Sequence, residues 1–154
     1  MNEIFTIVNK GNKGELLKLL NTGFDVSVQE KHGRTPLMDA VINKDMEIAR
    51  IIIQKGANVN LQDSRGLSAL HFAAQNYLLD IAQILLQNQA RVDIQDIHGN
   101  TPLNDAVFNS REKGEMIKLL LAKGADKDLK NKHGVSPRQL ASTIGNYNVA
   151  QFLE

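Results

Sequence analysis

The chain has 154 residues, enough for one domain with a real core but not for two large ones. With 42% hydrophobic and 23% charged residues its composition is that of a folded protein, and a net charge of +1 gives no whole-chain attraction to nucleic acid or anionic membrane. The sequence has no cysteine, which removes disulfides, thiolate metal sites and cysteine nucleophiles and fits a reducing, cytoplasmic setting.

The first segment, Met1 to Lys10, holds only the short uncharged stretch Ile4–Val8, too little for the apolar core of a secretory signal. No later run approaches the roughly 18 apolar residues of a spanning helix. This opening carries Ile4, Phe5, Ile7 and Val8 with no Thr-Pro-Leu element before them, and is expected to cap the amino-terminal end over about 1–28. Gly11-Asn12-Lys13-Gly14 is too short and isolated to cradle a phosphate and is expected to turn between two helices.

From there the chain repeats. Gly33, Gly66 and Gly99 lie 33 residues apart, and Gly134 follows after 35. In register with them, Thr35-Pro36-Leu37-Met38 aligns with Ser68-Ala69-Leu70-His71, Thr101-Pro102-Leu103-Asn104 and Ser136-Pro137-Arg138-Gln139. A hydroxyl residue before Pro predicts a helix start, because the side chain caps free backbone N–H groups and Pro is harmless at the first helical position. A short first helix, such as Pro36–Asn43, then precedes a second with a longer apolar stripe, such as Met46, Ile48, Ala49, Ile51, Ile52 and Ile53. Gly56 and Gly124 stand just past such stripes, where a left-handed cap favours glycine. An extended segment, Asn58–Asp63 in the first instance, leads to the tight turn at the next repeated glycine.

The units are placed at 29–61, 62–94 and 95–129, with a carboxy-terminal cap at 130–154 that ends inside its second helix, Asn148–Glu154. Arg138 and Gln139 stand where inner units use apolar or small residues, as expected of an end facing water, and the array is expected to be complete. Alanines at 40, 73, 74, 106 and 141 fall on the first helices, where small side chains let neighbours approach to roughly 8–10 Å. Three places break the pattern. Gln89 replaces the capping glycine, at a cost of about 1 kcal/mol or more if the turn stays left-handed. Tyr77, Leu78 and Leu79 crowd one helix–helix turn, with Leu79 expected inward and Tyr77 or Leu78 exposed, as a contact anchor or as a staple between helices. Unit four carries two extra residues within Asn109–Lys113, since Ala106 to Gly124 is 18 positions and Ala40 to Gly56 is 16. Such insertions map to loops on one face, often a binding face, with a neutral extension of the loop as the alternative.

The 33-residue period and the Thr-Pro-Leu-x-x-Ala pattern resemble the ankyrin repeat over nearly the whole chain. The resemblance implies an all-α solenoid of about five helix-turn-helix units with short hairpin loops. It also implies a protein-binding role, with hairpin tips and the inner face of the first helices as a concave contact surface. On this sequence the surface comprises Arg34 and Ile42 in unit two, with Arg65, Leu67, Asn76 and Tyr77 in unit three. In unit four it comprises Ile97, His98, Asn100, Phe108 and Asn109. Binding energy concentrates in aromatic and arginine side chains, so Arg65, Tyr77 and Phe108 are the expected anchors, with Ile97 and Leu67 as apolar contacts.

Chemistry is not expected. His32, His98 and His133 hold equivalent places on different repeats, roughly 10 Å apart at helix-packing distance, whereas zinc ligands sit about 2 Å from the metal. The resemblance gives His71 a bridging role between repeats. Glu30, Asp63, Asp96 and Asn131 recur at the turns, where such side chains accept backbone hydrogen bonds, and the period keeps them from pairing as an acid and a base. Asp39 and Asp105, in phase with Phe72, are read as polar positions facing water, with exposed ligands for a basic partner as the alternative. Lys31, His32, Arg34, Arg65, His98, Lys130, Lys132 and His133 make a basic strip at the hairpin tips, but acids dilute it and 5% aromatics offer no stacking platform for single strands. No catalytic residue, cofactor or metal ligand is assigned.

The expected function is non-enzymatic binding of another protein, by a chain that is monomeric when free and engages neither nucleic acid nor membrane. A small stack rich in Asn, Lys and Ile resembles bacterial ankyrin proteins, among which neutralising a toxin or enzyme by occlusion recurs. A stoichiometric inhibitor, in particular an immunity protein encoded beside its toxin, is the specific expectation. An inert scaffold or a host-directed effector is the alternative.

Overall fold

A computed structural model of the chain describes residues 2–111, 113–144 and 147–154, the side chains of 147 and 148 excepted. Among the described residues ten helices run in pairs: α1 Glu3–Asn9 with α2 Lys13–Leu20, α3 Pro36–Ile42 with α4 Met46–Gln54, and α5 Ala69–Gln75 with α6 Leu79–Gln87. Then follow α7 Pro102–Phe108 with α8 Glu115–Ala122, and α9 Pro137–Thr143 with α10 Tyr147–Ala150, which runs on into a 3₁₀ turn, Gln151–Leu153. The first helices stack in one layer, α1 on α3 on α5 on α7 on α9. The second helices form another, with α4 on α6 and α6 on α8. Each helix therefore meets its own partner, the first helices meet along their whole row, and the core is one continuous apolar seam between the layers. The architecture is the all-α solenoid of paired helices that the resemblance implies.

Local chemistry explains why the helices start where they do. Thr35, Ser68, Thr101 and Ser136 each accept a hydrogen bond from the backbone N–H three residues on, while the side chain there returns the favour to the cap's own N–H. The returning atom is Met38 Sδ, His71 Nδ1, Asn104 Oδ1 or Gln139 Oε1. Ala40, Ala73, Ala74 and Ala106 are all fully buried in the first-helix layer, where the absence of a long side chain lets the backbones close up.

Gln89 keeps the left-handed turn rather than relaxing it: its φ is +66°, beside +85° at Gly56 and +88° at Gly124. The turn is retained because the Gln89 N–H reaches Leu86 O (3.3 Å) and its carbonyl accepts from Asn60 Nδ2 (3.0 Å) across the repeat boundary. Both bonds use the backbone of residue 89, so they survive loss of its exposed side chain. Gln89→Gly is therefore expected to stabilise the fold by about 0.5–1 kcal/mol, the relief of strain minus the entropy glycine adds to the unfolded chain. A urea titration checks this, and an unchanged or lower midpoint counts against a strained turn.

Candidate functional site

The hairpin tips are built by one short side chain each. Asp63 Oδ1 accepts from the N–H groups of Arg65 and Leu67, both at 2.9 Å. Asp96 Oδ1 does the same for His98 and Asn100 (2.8 Å each), and Asn131 Oδ1 for His133 (2.9 Å) and Val135 (3.0 Å). Adjacent tips are then tied backbone to backbone: Ser64 N–H to His32 O (2.8 Å), Ile97 N–H to Arg65 O (3.0 Å) and Lys132 N–H to His98 O (2.9 Å). A glutamine ladder reinforces the edge. Gln29 Nε2 donates to Gly33 O (2.7 Å) and to Gln62 O (3.0 Å), and Gln62 Nε2 donates to Gly66 O (2.6 Å) and Gln95 O (2.8 Å). These glutamines are themselves 33 residues apart, so the period carried a signal that the sequence reading did not use. The tips form a continuous rigid edge, not a row of loose loops.

That edge turns toward the first helices through two arginines. Arg34 Nε lies 2.8 Å from Glu30 Oε1 and 3.3 Å from Asp39 Oδ1 on α3. The Arg65 guanidinium sits 5.9 Å from the Phe72 ring centroid on α5, and its Nη2 is 3.3 Å from Asp63 Oδ2. Tips and first helices thus share one face.

Asp39 and Asp105 correct the sequence reading, which placed them in water. Asp39 is 3% exposed, and Asp105 is largely covered. Both sit where the first-helix row packs, and neighbouring repeats bond to them: Asn9 Nδ2 to Asp39 Oδ2 and Gln75 Nε2 to Asp105 Oδ2, both 3.1 Å. Burial pushes the Asp39 carboxyl up, while Arg34 and the Asn9 amide pull it back. Burial raises Asp105 to about 7; the Gln75 bond opposes the rise and the nearby Asp96 charge adds to it.

The residues expected at the partner surface separate into two groups. Phe108 is 69% exposed, Ile97 48%, and the Arg65 side chain 61%, so these three face solvent. His98 is exposed as well. Leu67, expected as an apolar contact, is buried at 6% because Asp63 pulls its N–H into the tip and its side chain joins the core. Ile42 is half-buried and packed on the core. Asn76 and Asn109 donate their side-chain amides to Phe72 O and Asp105 O, both 2.9 Å, one turn back on their own helices. Asn100 Oδ1 accepts from Asn131 Nδ2 (2.8 Å), and Arg34 is held by its two carboxylates.

Tyr77 is a staple in this structure. Its φ is +56°, the ring packs half-buried against the core, and its hydroxyl donates to the Lys113 carbonyl in the inserted loop of unit four. Burial, with Glu115 nearby, pushes the phenol up to about 12. Leu78 and Leu79 are also partly buried against the core, so neither Tyr77 nor Leu78 stands fully exposed. Within the insertion, Glu112 lies outside the described residues.

His71 takes a single tautomer. Its Nδ1 accepts the Ser68 N–H (3.1 Å), which leaves Nε2–H to donate to Asn100 O (3.1 Å) at the start of the next repeat. Burial lowers its pKa, against the opposing pull of the Asn100 carbonyl and of Asp96 and Asp63. The rings of His98 and His133 are 6.5 Å apart and close to parallel, nearer than the roughly 10 Å expected from helix spacing. The hydrogen-bonded tips draw adjacent repeats together more closely than helix packing alone. Among the described residues, no three of His, Asp and Glu are grouped to hold a metal ion, and no helix is long and apolar enough to cross a membrane.

The family model for ankyrin repeats in three copies matches residues 4–96 and 58–131, which together span most of the chain. Comparison with curated proteins gave no match.

Proposed function

The chain belongs to the ankyrin-repeat family, whose repeats generally mediate binding to other proteins, and we propose that it is a stoichiometric inhibitor of one partner, bound on the face shared by its hairpin tips and first helices. The observation that carries the reading is the placing of exposed apolar groups. Leu17, Ile97 and Phe108 are the exposed large hydrophobic residues among those described, and two of the three belong to unit four on that face. Phe108 ends α7 with 69% of its surface in water, beside an otherwise well-filled core. An exposed aromatic of this kind is a ready anchor, because interfaces concentrate their energy on aromatic side chains that lose their water on binding. The rigid tip edge lowers the ordering cost of association.

A partner that is a toxin or enzyme encoded beside this chain fits an inhibitor that works by occlusion. The test is a titration of purified chain against each co-encoded enzyme or toxin. Activity should fall linearly to zero at one equivalent. Replacing Arg65, Ile97 and Phe108 together by alanine should weaken binding at least 100-fold while leaving the urea midpoint within experimental error. Unchanged affinity in that variant rules out this face; no inhibition of any co-encoded protein rules out the inhibitor reading.

A further inference from the structure

Units two, three and four fill the same place on the shared face in different ways. In unit two the first-helix residue is Asp39, and Arg34 from the tip lies 3.3 Å from it. In unit three the residue at that phase is Phe72, and Arg65 from the tip stands over its ring. In unit four it is Asp105, and no tip cation reaches it. The residue in register with Arg34 is Asn100, whose side chain is held by Asn131 (2.8 Å). The residue in register with Arg65 is His98, whose ring leans to His133 in the next unit. Among the described residues Asp105 has no ion-pair partner, only the Gln75 amide at 3.1 Å on one oxygen. Phe108, one turn along α7, shares its side of the helix and is exposed.

We infer that unit four holds an open cation subsite, and that the partner protein completes it with an arginine or lysine side chain seated between the Asp105 carboxylate and the Phe108 ring. The two chemistries that occupy units two and three, a guanidinium on a carboxylate and a guanidinium over an aromatic ring, are both offered there and neither is used internally. A planar guanidinium satisfies the two together, which favours arginine over lysine. The basic side chain would enter a half-covered site, where a charge-assisted bond is stronger than on open surface. This rests on the reading of the shared face as the partner surface, and names the chemistry of its centre.

The test needs no identified partner. The ¹⁵N-labelled chain is titrated by NMR with the blocked peptide acetyl-Ala-Arg-Ala-amide and with its neutral isostere, in which citrulline replaces arginine. The arginine peptide should shift the amides of Gln75, Asp105 and Phe108, and the citrulline peptide should bind at least tenfold more weakly. Asp105→Asn should remove the difference between the two peptides. Asn100→Arg, which supplies from within what Arg34 supplies in unit two, should block the site and abolish the arginine-specific shifts. Equal response to both peptides, shifts centred elsewhere, or an unaffected Asn100→Arg variant overturns the subsite. Because the readout is a peptide on the free chain, a null titration beside intact inhibition of a partner removes the subsite alone, and the converse removes the inhibitor reading alone.

Discussion

Gly66→Ala is expected to destabilise the stack by about 3 kcal/mol, and Gly134→Ala by only about 1 kcal/mol, although both glycines have the same backbone conformation. Their φ values are +74° and +75°, so the intrinsic strain of a side chain is shared. What differs is the neighbour. A Cβ on Gly66 would lie 2.8 Å from Ile97 N and 2.9 Å from the Asp96 backbone, whereas one on Gly134 meets nothing within 4 Å. Backbone cannot swing aside as a side chain can. The tip of unit four would have to retreat, and the Ile97 N–H to Arg65 O bond would go with it, adding about 1 kcal/mol to the loss. Gly99, with its nearest atom at 2.9 Å, and Gly33, at 3.1 Å, should fall between the extremes in that order. Urea unfolding of the four alanine variants decides the matter. Equal losses across the series would mean that the tips do not clamp the repeats together.

Asp105→Asn is expected to raise stability by about 2 kcal/mol at pH 8 and by little at pH 4. The carboxyl rises from an ordinary 3.8 to about 7 in the folded chain, so the native state binds its proton more tightly than the unfolded state does. That preference favours folding fully below about 4 and is gone above about 7, where a covered, ionised carboxylate must be tolerated. The full rise would correspond to about 4 kcal/mol; partial contact with water brings the expected gain to about half. Asparagine removes the charge and can still accept the Gln75 amide. Urea midpoints of parent and variant at both pH values give the difference, in which every other titrating group cancels. A variant less stable than the parent at pH 8 would falsify the view of Asp105 as a covered carboxylate without a cation. Greater stability together with loss of the arginine-peptide response would mark it as a residue that costs the fold something in exchange for binding.

Much of the architecture was legible because a repeat states the same local rule several times. A single Ser or Thr before Pro is a weak helix signal. Three in phase, with Ser68-Ala69 at the same place in the remaining unit, leave little choice of fold. The turn roles of Asp63, Asp96 and Asn131 were legible for the same reason, while at Gln89, where one unit departs from a glycine used by others, the sequence left a relaxed turn and a strained one both open. The exposed positions Phe108 and Ile97 were legible from their register.

The misplaced residues share a different cause. Asp39 and Asp105 were assigned to water because a charged residue in an apolar phase usually belongs there. Leu67 was assigned to a partner because it stands beside an exposed tip, and Tyr77 could not be divided between anchor and staple. For Asp39, Asp105 and Tyr77 the deciding neighbour is about 30 residues away or more: Asn9, Gln75 and the inserted loop at Lys113 in turn. Leu67 was decided by Asp63, whose carboxylate closes the tip.

The sequence by itself determined the helix starts, the period and the stacking of like on like. Those follow from backbone capping and from the spacing of apolar residues, which act within one repeat and are copied to the next. Only the tertiary structure decided which polar groups are covered, which arginines are already engaged, and that Asp105 stands without the cation its counterpart has. Burial and pairing are set by side chains from adjoining repeats meeting across the stack, and a repeat pattern gives their phase along the chain but not their reach across it.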